Sequence, residues 1–277
     1  MAGSLSSEAR DAVRKEARAF LARHKILLPP FPVDLALKAQ QLRLAEVSLE
    51  EALRRIGADG PELDKIDAML DVTAKSVALR EDLHRHGKKW GCVHEVAHSV
   101  LPWHADLLYY CPIILLPARV QRQMELEADA FTSDCLFLGS RFTEEAKAVP
   151  VGIRPIIQLA DAYGASITSA LRRYVEENPD PCCLLVWKCP EGPEADENAT
   201  LSLHYFVRSP SSGLTFRIGQ TVGKDHVVAQ AYLELRDTAT AAIQHELSNG
   251  RTTYTAETFF NSYSLFTLLW SPRPAPS

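Results

Sequence analysis

The chain has 277 residues, of which 46% are hydrophobic and 23% charged, and its formal net charge is −5. These values are typical of a globular protein with one large or two small domains, and the mild acidic balance excludes a general electrostatic attraction to nucleic acids or anionic membranes. The longest apolar run, 107–118, contains two prolines and is too short to span a bilayer, and the N-terminus lacks the apolar core of an export signal. We therefore expect a cytoplasmic protein that does not enter membranes and whose six cysteines are free thiols.

Three helices are predicted in the N-terminal part of the chain. The first is capped by Ser6 or Ser7, ends at Pro29-Pro30 and buries one apolar face. That face carries Val13, Ala17, Phe20 and Leu21. A second helix begins at Asp34, and a capping box at 48–51 starts a short third helix that Gly57 closes.

The next stretch combines two short strands with a basic segment. The β character of 66–72 and 76–79 predicts a strand pair, along whose edge an extended peptide could lie. Residues 84–89, with the sequence His-Arg-His-Gly-Lys-Lys, are predicted to form a basic turn. Its two histidines, His84 and His86, are either solvated or auxiliary metal ligands.

The His-Glu-x-x-His motif at 94–98 is the strongest chemical signal in the chain. Histidines four residues apart on a helix leave from the same face, so His94 and His98 can share one zinc ion. Glu95 stands beside the first histidine and can reach a metal-bound water as general base. Apolar neighbours on both sides predict a buried helix, which ends near Pro102.

A catalytic zinc site needs a third protein ligand and an open fourth position. The acidic run 124–131 supplies the candidates. Glu125 and Asp129 are four residues apart and share a helix face, whereas Glu127 points largely away from both. We therefore assign Glu125 as the third ligand. Asp129 then lies where its carboxylate can accept the free ring N–H of His94, unless the two carboxylates are simply solvated.

This pattern resembles the ImmA/IrrE metallopeptidases of bacteria and their mobile elements. That family has His-Glu-x-x-His, a loop, and then Glu-x-Glu-Ala-Asn-x-Phe-Ala, where this chain has Glu-Leu-Glu-Ala-Asp-Ala-Phe-Thr at 125–132. The family's first glutamate of that run is the metal ligand, in agreement with Glu125. Asp129 replaces the usual asparagine, and 90–93 depart from the family's Phe-Thr-x-Ala, so the chain is identified as a divergent member whose resemblance is firm over 88–140.

The resemblance implies a zinc-dependent regulatory endopeptidase. His94, His98 and Glu125 would hold Zn²⁺, while Glu95 would take the proton from the attacking water. The family's substrates are helix-turn-helix repressors, which are cut at one place so that a stress or mobile-element regulon is released. The expected partner is therefore a repressor protein.

Two points stay open at the level of sequence. The donor that would stabilise the oxyanion together with zinc is Tyr109, Tyr110 or His104, and the sequence does not choose. The alternative function is a DNA-binding or protein-binding transcriptional regulator with a structural or vestigial metal site. A structural zinc site would usually supply a fourth protein ligand, which argues against that alternative.

Residues 155–177 predict two helices joined by a turn at Gly164, which is the helix-turn-helix pattern. The second helix offers only Arg172 and Arg173 as cations, with two glutamates close behind them. Phosphate contacts would therefore be weak, which argues against direct DNA binding. The segment could instead help to dock a protein substrate, as the family resemblance suggests, or form a structural helix pair.

The composition changes after the linker at 178–181. One helix is predicted at 227–242, together with several strands rich in apolar and aromatic residues. These strands are 182–188, 201–208, 215–218 and 263–270. Such an α+β pattern is compatible with the GAF-like sensor domain that some longer family members carry.

We therefore predict a mixed α+β protein. Its parts are a mostly helical, zincin-like metallopeptidase core with a small β-sheet at 1–150, a helix-turn-helix-like segment at 151–178, and a smaller α+β domain at 182–270, for which a GAF-like fold is one option.

Overall fold

The computed structural model of the chain describes residues 5–45, 48–55, 66–110, 116–189, 200–235, 242–248 and 253–271. The helices in these ranges are α1 (Ser7–Arg23), α2 (Val33–Ala39), α3 (Leu49–Arg55), α4 (Arg85–Val100), α5 (Pro102–Tyr110), α6 (Ala118–Leu136), α7 (Arg141–Lys147), α8 (Ile153–Tyr163), α9 (Ile167–Glu176) and α10 (Val227–Leu235). The strands are β1 (Arg43–Leu44), β2 (Ala68–Asp71), β3 (Ser76–Leu79), β4 (Cys182–Lys188), β5 (Leu201–Arg208), β6 (Thr221–Val222), β7 (Ile243–Ser248), β8 (Thr253–Phe260) and β9 (Leu265–Trp270).

Helices occupy about 48% and strands about 21% of the structure, which confirms the mixed α+β class. The chain divides into two compact units. The first comprises Met1–Phe142 and Ala162–Ser166, and the second comprises Thr143–Asp161 and Ile167–Ser277. The division into three segments stays a prediction. Among the described helices, none has the length and apolar character needed to cross a membrane.

Helix α1 supports the first unit and buries the face predicted from its sequence. The Ser6 hydroxyl caps the helix by accepting a hydrogen bond from the N–H of Ala9 at 3.2 Å. The buried side chains are Val13, Ala17, Phe20 and Leu21. This face packs against α6, where the ring of Phe131 lies 5.9 Å from that of Phe20. Burial of an apolar stripe is what stabilises a helix of this length.

The end of α1 differs from the prediction. The helix stops at Arg23, well before the proline pair, because Lys25 adopts a left-handed backbone with φ 55°. The N–H of Ile26 then donates to the carbonyl of Leu21 at 2.9 Å, and the N–H of Lys25 donates to that of Ala22 at 3.2 Å. These two bonds are a Schellman cap, which satisfies carbonyls that the helix end leaves without partners.

Helices α2 and α3 lie where the sequence places them. α2 begins at Val33, one residue before the predicted start. At α3 the Ser48 hydroxyl accepts a hydrogen bond from the N–H of Glu51 at 3.2 Å, which is one half of the predicted capping box. The predicted stop at Gly57 falls outside the described residues.

A small sheet lies beside α4 in the first unit. Its strand order is β1-β3-β2, and β3 pairs in parallel with β1 and antiparallel with β2. The two strands predicted from the sequence are thus confirmed as β2 and β3, and α4 contacts both. In the described part of the chain β2 pairs only with β3, so its other edge carries no strand.

Helix α4 begins earlier than predicted. His84 is its N-cap, so Arg85–Lys89 are helical and do not form a turn. Cations at a helix N-terminus oppose the helix dipole, but three contacts made by two side chains hold this basic start in place. The ammonium of Lys89 donates to the carbonyls of Tyr163 at 3.0 Å and Gly164 at 3.1 Å, and His86 Nδ1 lies 3.2 Å from the Gly164 oxygen.

The two helices after α4 complete the frame of the candidate site. α4 ends at Val100, as predicted, and α5 starts at once with Pro102 in its first position, where proline costs no hydrogen bond. The sequence interpretation did not include α5. α6 begins after Pro117 and ends at Leu136, shortly before Gly139, which has φ 64°.

The second unit contains α8 up to Asp161, α9, α10 and an antiparallel sheet with strand order β6-β5-β4-β9-β8-β7. α9 contacts β4 and β5, and α10 contacts β7 and β8. α8 and α9, with Gly164 at φ 56° between them, confirm the two predicted helices and the turn that joins them. β4 and β5 have the predicted bounds, and the described cysteines are all free.

Three features of this sheet were not predicted correctly. Thr215–Ile218 is not a strand, because the chain joins β5 only later, where the N–H of Gly219 donates to the carbonyl of Leu203 at 2.8 Å. The short strand β6 follows that contact. β7 and β8 were missed, although β7 alternates apolar and polar residues in the manner of a strand.

Candidate metal centre

Two imidazole rings leave the same face of α4, as the spacing of the motif predicts. The Nε2 atoms of His94 and His98 lie 3.3 Å apart, and the ring centroids are 5.0 Å apart. His98 is 4% exposed, whereas the His94 side chain is 14% exposed. The pair therefore lies at the boundary between the core and a solvent-accessible face.

Glu125 reaches the pair from α6. Its Oε2 lies 3.0 Å from His94 Nε2, and its Oε1 lies 3.6 Å from His98 Nε2. One ligand atom from each of these three residues lies within 4.8 Å of the other two. Since α4 packs against α6, the contact between the two helices brings the third residue to the motif.

The chemistry of this group fits a divalent cation. Two imidazole nitrogens and one carboxylate oxygen are donors that zinc and several other transition metals accept. The Glu125 side chain is 49% exposed, so solvent can reach a fourth position beside it. His94, His98 and Glu125 can therefore bind a metal ion.

Asp129 lies one turn beyond Glu125 on α6. Its Oδ1 lies 3.1 Å from Nδ1 of His94, the ring nitrogen that does not face Glu125. A carboxylate in this place accepts the N–H of the ring and leaves the other nitrogen free to bind a metal. The structure thus gives Asp129 the contact predicted for it, although its side chain is 53% exposed.

Glu95 points inward next to the histidine pair and is 7% exposed. Burial raises the pKa of its carboxyl group to about 7, against the opposing effect of the nearby His94. The backbone N–H of Leu70, on strand β2, donates a hydrogen bond to this carboxylate. Glu95 therefore lies between the metal-binding group and the strand edge, with a pKa suited to proton transfer near neutral pH.

The two candidate ligand histidines differ in charge state before any metal binds. Burial lowers the pKa of His94, but hydrogen bonds to Asp129 and Glu125 outweigh it and raise the pKa to about 10. Burial and the charge of His94 hold the pKa of His98 well below its usual range. A cation that binds here must displace the proton of His94, as metal binding commonly does.

A second hydrogen-bond chain was missed by the sequence interpretation. His104 Nδ1 lies 3.0 Å from His98 Nδ1, and His104 Nε2 lies 2.9 Å from Oε2 of Glu127. Glu127 also accepts hydrogen bonds from Trp103 Nε1 and from Gln123 Nε2, each at 2.6 Å. Glu127 does point away from Glu125, as predicted, but its carboxylate is buried and fully engaged. The sequence signal was an acidic residue on the apolar side of α6.

His104 and Glu127, the two residues of this chain beyond His98, have shifted pKa values. Burial lowers the pKa of the fully buried His104, despite the opposing effect of Glu127. Burial raises the pKa of Glu127, but its three donors outweigh burial and lower it below the ordinary glutamate value. The pair is thus a neutral imidazole beside an ionised carboxylate.

These contacts exclude one of the three candidates for the oxyanion donor. His104 is fully buried and both of its ring nitrogens are engaged, so it cannot face a substrate. The side chains of Tyr109 and Tyr110 lie outside what the structure describes. His84 and His86 cap and anchor α4 and are not in the metal-binding group.

The second helix of the helix-turn-helix pair offers less positive surface than the sequence suggested. The Arg173 side chain is 6% exposed and lies 4.0 Å from Glu177, so it is on the buried face of α9. Arg172 is 60% exposed, but its Nε donates to Glu176 at 2.8 Å. Of the two arginines considered for DNA contact, only one is on the surface.

Comparison with known proteins gives one distant structural likeness of interest. A solved structure named Mycobacterium tuberculosis transcriptional regulator matches with a TM-score of 0.54 and 11% sequence identity, over 95% of this chain and 80% of that chain. At this identity the likeness establishes a shared fold. No protein-family model matches the sequence. No curated protein matches it either.

Proposed function

We propose that this chain is a zinc-dependent endopeptidase of the ImmA/IrrE type that cleaves a helix-turn-helix repressor. The observation that carries the proposal is the convergence of His94, His98 and Glu125 from two helices, with Glu95 beside them and outside the ligand set. A three-residue ligand set with an accessible fourth position is typical of catalytic zinc sites.

Zinc suits the group because its donors are two imidazoles and one carboxylate. When bound, zinc acts as a Lewis acid that lowers the pKa of water and polarises a carbonyl. The protein's own part is to orient the donors: Asp129 holds the His94 ring at Nδ1, and Glu125 approaches both rings.

Glu95 supplies the general base. Its carboxylate takes a proton from the water that attacks the peptide carbonyl, and the same group can return the proton to the leaving amine. In the metal-free chain, burial raises the pKa of Glu95 to about 7, so this carboxyl group can both accept and release a proton near neutral pH. The side chain is 7% exposed, so little bulk water reaches the carboxylate.

The unpaired edge of β2 is the proposed binding edge for the substrate. An extended peptide can add to such an edge through main-chain hydrogen bonds. Leu70 lies on this strand and its N–H contacts Glu95, so a peptide aligned along β2 passes beside the general base. This arrangement selects an unfolded or extended segment of the substrate.

The identity of the substrate rests on the sequence resemblance. Members of the ImmA/IrrE family cut helix-turn-helix repressors and thereby release a stress or mobile-element response. The mycobacterial structure with the same fold is named a transcriptional regulator, which is consistent with a regulatory role for this chain. Its low identity carries no argument about individual residues.

A direct test uses the full chain and the nearest encoded helix-turn-helix repressor. Purified protein with zinc is mixed with that repressor, and the products are read by intact-mass spectrometry. We expect two fragments from a single cleavage, and none after the metal is removed with a chelator. An uncut repressor with fully zinc-loaded protein would contradict the assignment of this substrate.

The alternative is a regulator in which the metal is structural. A structural zinc site usually has four protein ligands, and the described residues provide a group of three. The presence of the buried Glu95 beside this group also favours chemistry over structure, because an unused buried carboxylate is costly.

A further inference from the structure

A chain of hydrogen bonds leads from the metal-binding face of α4 into the interior of the first unit. It runs from His98 to His104 on α5 and then to Glu127 on α6. His98 is 4% exposed, His104 is fully buried, and Glu127 is 7% exposed. Nothing in the proposed cleavage chemistry uses the last two residues.

The direction of each hydrogen bond follows from which groups can only donate. The indole N–H of Trp103 is a donor without an acceptor, and it lies 2.6 Å from Oε2 of Glu127. Glu127 therefore accepts there as a carboxylate, and the same oxygen can accept from His104 Nε2 at 2.9 Å. With its proton on Nε2, a neutral His104 presents the lone pair of Nδ1.

The position of the proton on His98 follows from the state of His104. The two Nδ1 atoms of His98 and His104 lie 3.0 Å apart, so one must donate to the other. Because His104 accepts, His98 donates through Nδ1–H. The Nε2 atom of His98 then carries no proton and presents its lone pair to the side where Glu125 lies 3.6 Å away.

The geometry points to His104 and Glu127 as positioning residues that hold His98 in the tautomer a metal requires. This inference rests on the proposed metal site and extends it to residues that never contact the ion. The tautomer of His94 is set in the same way by a half-exposed carboxylate, that of Asp129. The tautomer of His98 is set by the carboxylate of Glu127 on α6, through the imidazole of His104 on α5. The two carboxylates therefore differ in exposure: Asp129 is accessible to solvent, whereas Glu127 is shielded from it.

His104 offers a pair of substitutions that separates positioning from packing. In His104→Asn the side-chain amide oxygen is as many bonds from Cα as Nδ1 and can still accept from His98. His104→Leu keeps a branched side chain of similar reach but removes the acceptor. Trp103→Phe is the matched control, since it deletes a donor to Glu127 and leaves the relay intact.

Two readouts test the inference on the full chain. The first is the histidine tautomer in metal-free wild-type protein, read from ¹⁵N-labelled rings by nuclear magnetic resonance; we expect His98 to carry its proton on Nδ1. The second is zinc affinity by chelator competition, which should fall about 10- to 100-fold in His104→Leu. It should return toward wild type in His104→Asn and stay near wild type in Trp103→Phe.

Two results would overturn the inference. One is a proton on Nε2 of His98 in the wild-type protein, a measurement that needs no variant and no activity. The other is wild-type zinc affinity in a folded His104→Leu protein. Neither depends on peptide cleavage, so a chain that binds zinc with the expected tautomer but cuts no repressor would refute the proposed peptidase and leave this inference standing.

Discussion

The Oδ1 atom of Asp129 lies 3.1 Å from Nδ1 of His94, on the side of the ring opposite Glu125. This contact fixes which nitrogen of His94 faces the metal-binding group. We expect Asp129→Ala to weaken zinc binding about 10- to 100-fold, whereas Asp129→Asn should be milder because its amide oxygen can still accept the ring N–H. Chelator competition measures both. Equal affinity in Asp129→Ala and wild type would mean that Asp129 is only a solvated carboxylate.

The ligand assignment predicts the metal content of the purified protein. Wild type should carry about one zinc or similar divalent ion per chain, and His94→Ala or Glu125→Ala should lose it. Elemental analysis of dialysed protein gives the stoichiometry. His84→Ala is the matched control, because this histidine caps α4 and lies outside the metal-binding group. Full metal retention in both ligand variants would refute the site.

Glu95→Gln separates chemistry from metal binding. The substitution keeps the size of the side chain and can still accept the N–H of Leu70, but it cannot take a proton. Zinc content and the melting temperature should therefore stay close to wild type. Cleavage of the repressor should fall by at least ~10²-fold, the low end for a lost general base. Full activity in this variant would exclude the proposed mechanism.

Arg172 tests whether α9 docks a protein or reads DNA. This exposed arginine pairs with Glu176, so Arg172→Glu reverses the charge at the surface without disturbing the core. We expect weaker binding of the repressor, unchanged zinc content, and partial recovery in Arg172→Lys. Binding to the repressor and to operator DNA is measured separately. Loss of a salt-dependent DNA affinity, with repressor binding intact, would identify the helix pair as a DNA reader.

Lys89 predicts a pH dependence of folding stability. Burial lowers its pKa to about 8 in the folded protein, from about 10.4 in an unfolded chain. Between these values the unfolded chain binds a proton that the folded chain lacks, so the free energy of unfolding rises with pH in that window. We expect wild type to gain stability relative to Lys89→Met as the pH increases from 8 to about 10.

Chemical denaturation of both proteins at several pH values checks this difference, and the subtraction removes the contribution of other titrating groups. The ammonium of Lys89 also donates to the carbonyls of Tyr163 and Gly164, and such bonds favour its charged form. A difference that does not change with pH would show that these two bonds offset the effect of burial.

The parts of the site that follow from helix periodicity were predictable from the sequence. The shared face of His94 and His98 on α4, and that of Glu125 and Asp129 on α6, both follow from residues one turn apart, and the zinc motif then predicted that the two faces meet. The same periodicity identified the buried face of α1, whereas β2 and β3 were predicted from the β character of their residues. Such local spacing is fixed by backbone geometry, whatever the rest of the chain does.

The features that were missed depend on contacts distant in sequence. The contact between His104 and Glu127 joins α5 to α6, and no periodicity relates residues 23 positions apart. The helical start of α4 is held by Gly164, which is 75 positions from Lys89. Nor could the sequence show that Arg173 is buried while Arg172 is exposed, since the orientation of α9 depends on β4 and β5.

The path of the chain between the two units limits which fragments of the protein can be expressed as stable products. Tyr163, which is fully buried, lies in the short segment 162–166 that belongs to the first unit, and its ring lies 5.3 Å from that of Phe142. A fragment that ends at residue 150 would lack this ring and the two carbonyls that bind Lys89. Removal of a large buried aromatic side chain typically lowers the free energy of unfolding by about 3–5 kcal/mol. Expression of the metal-binding half alone should therefore give an unstable product unless the chain continues past Ser166.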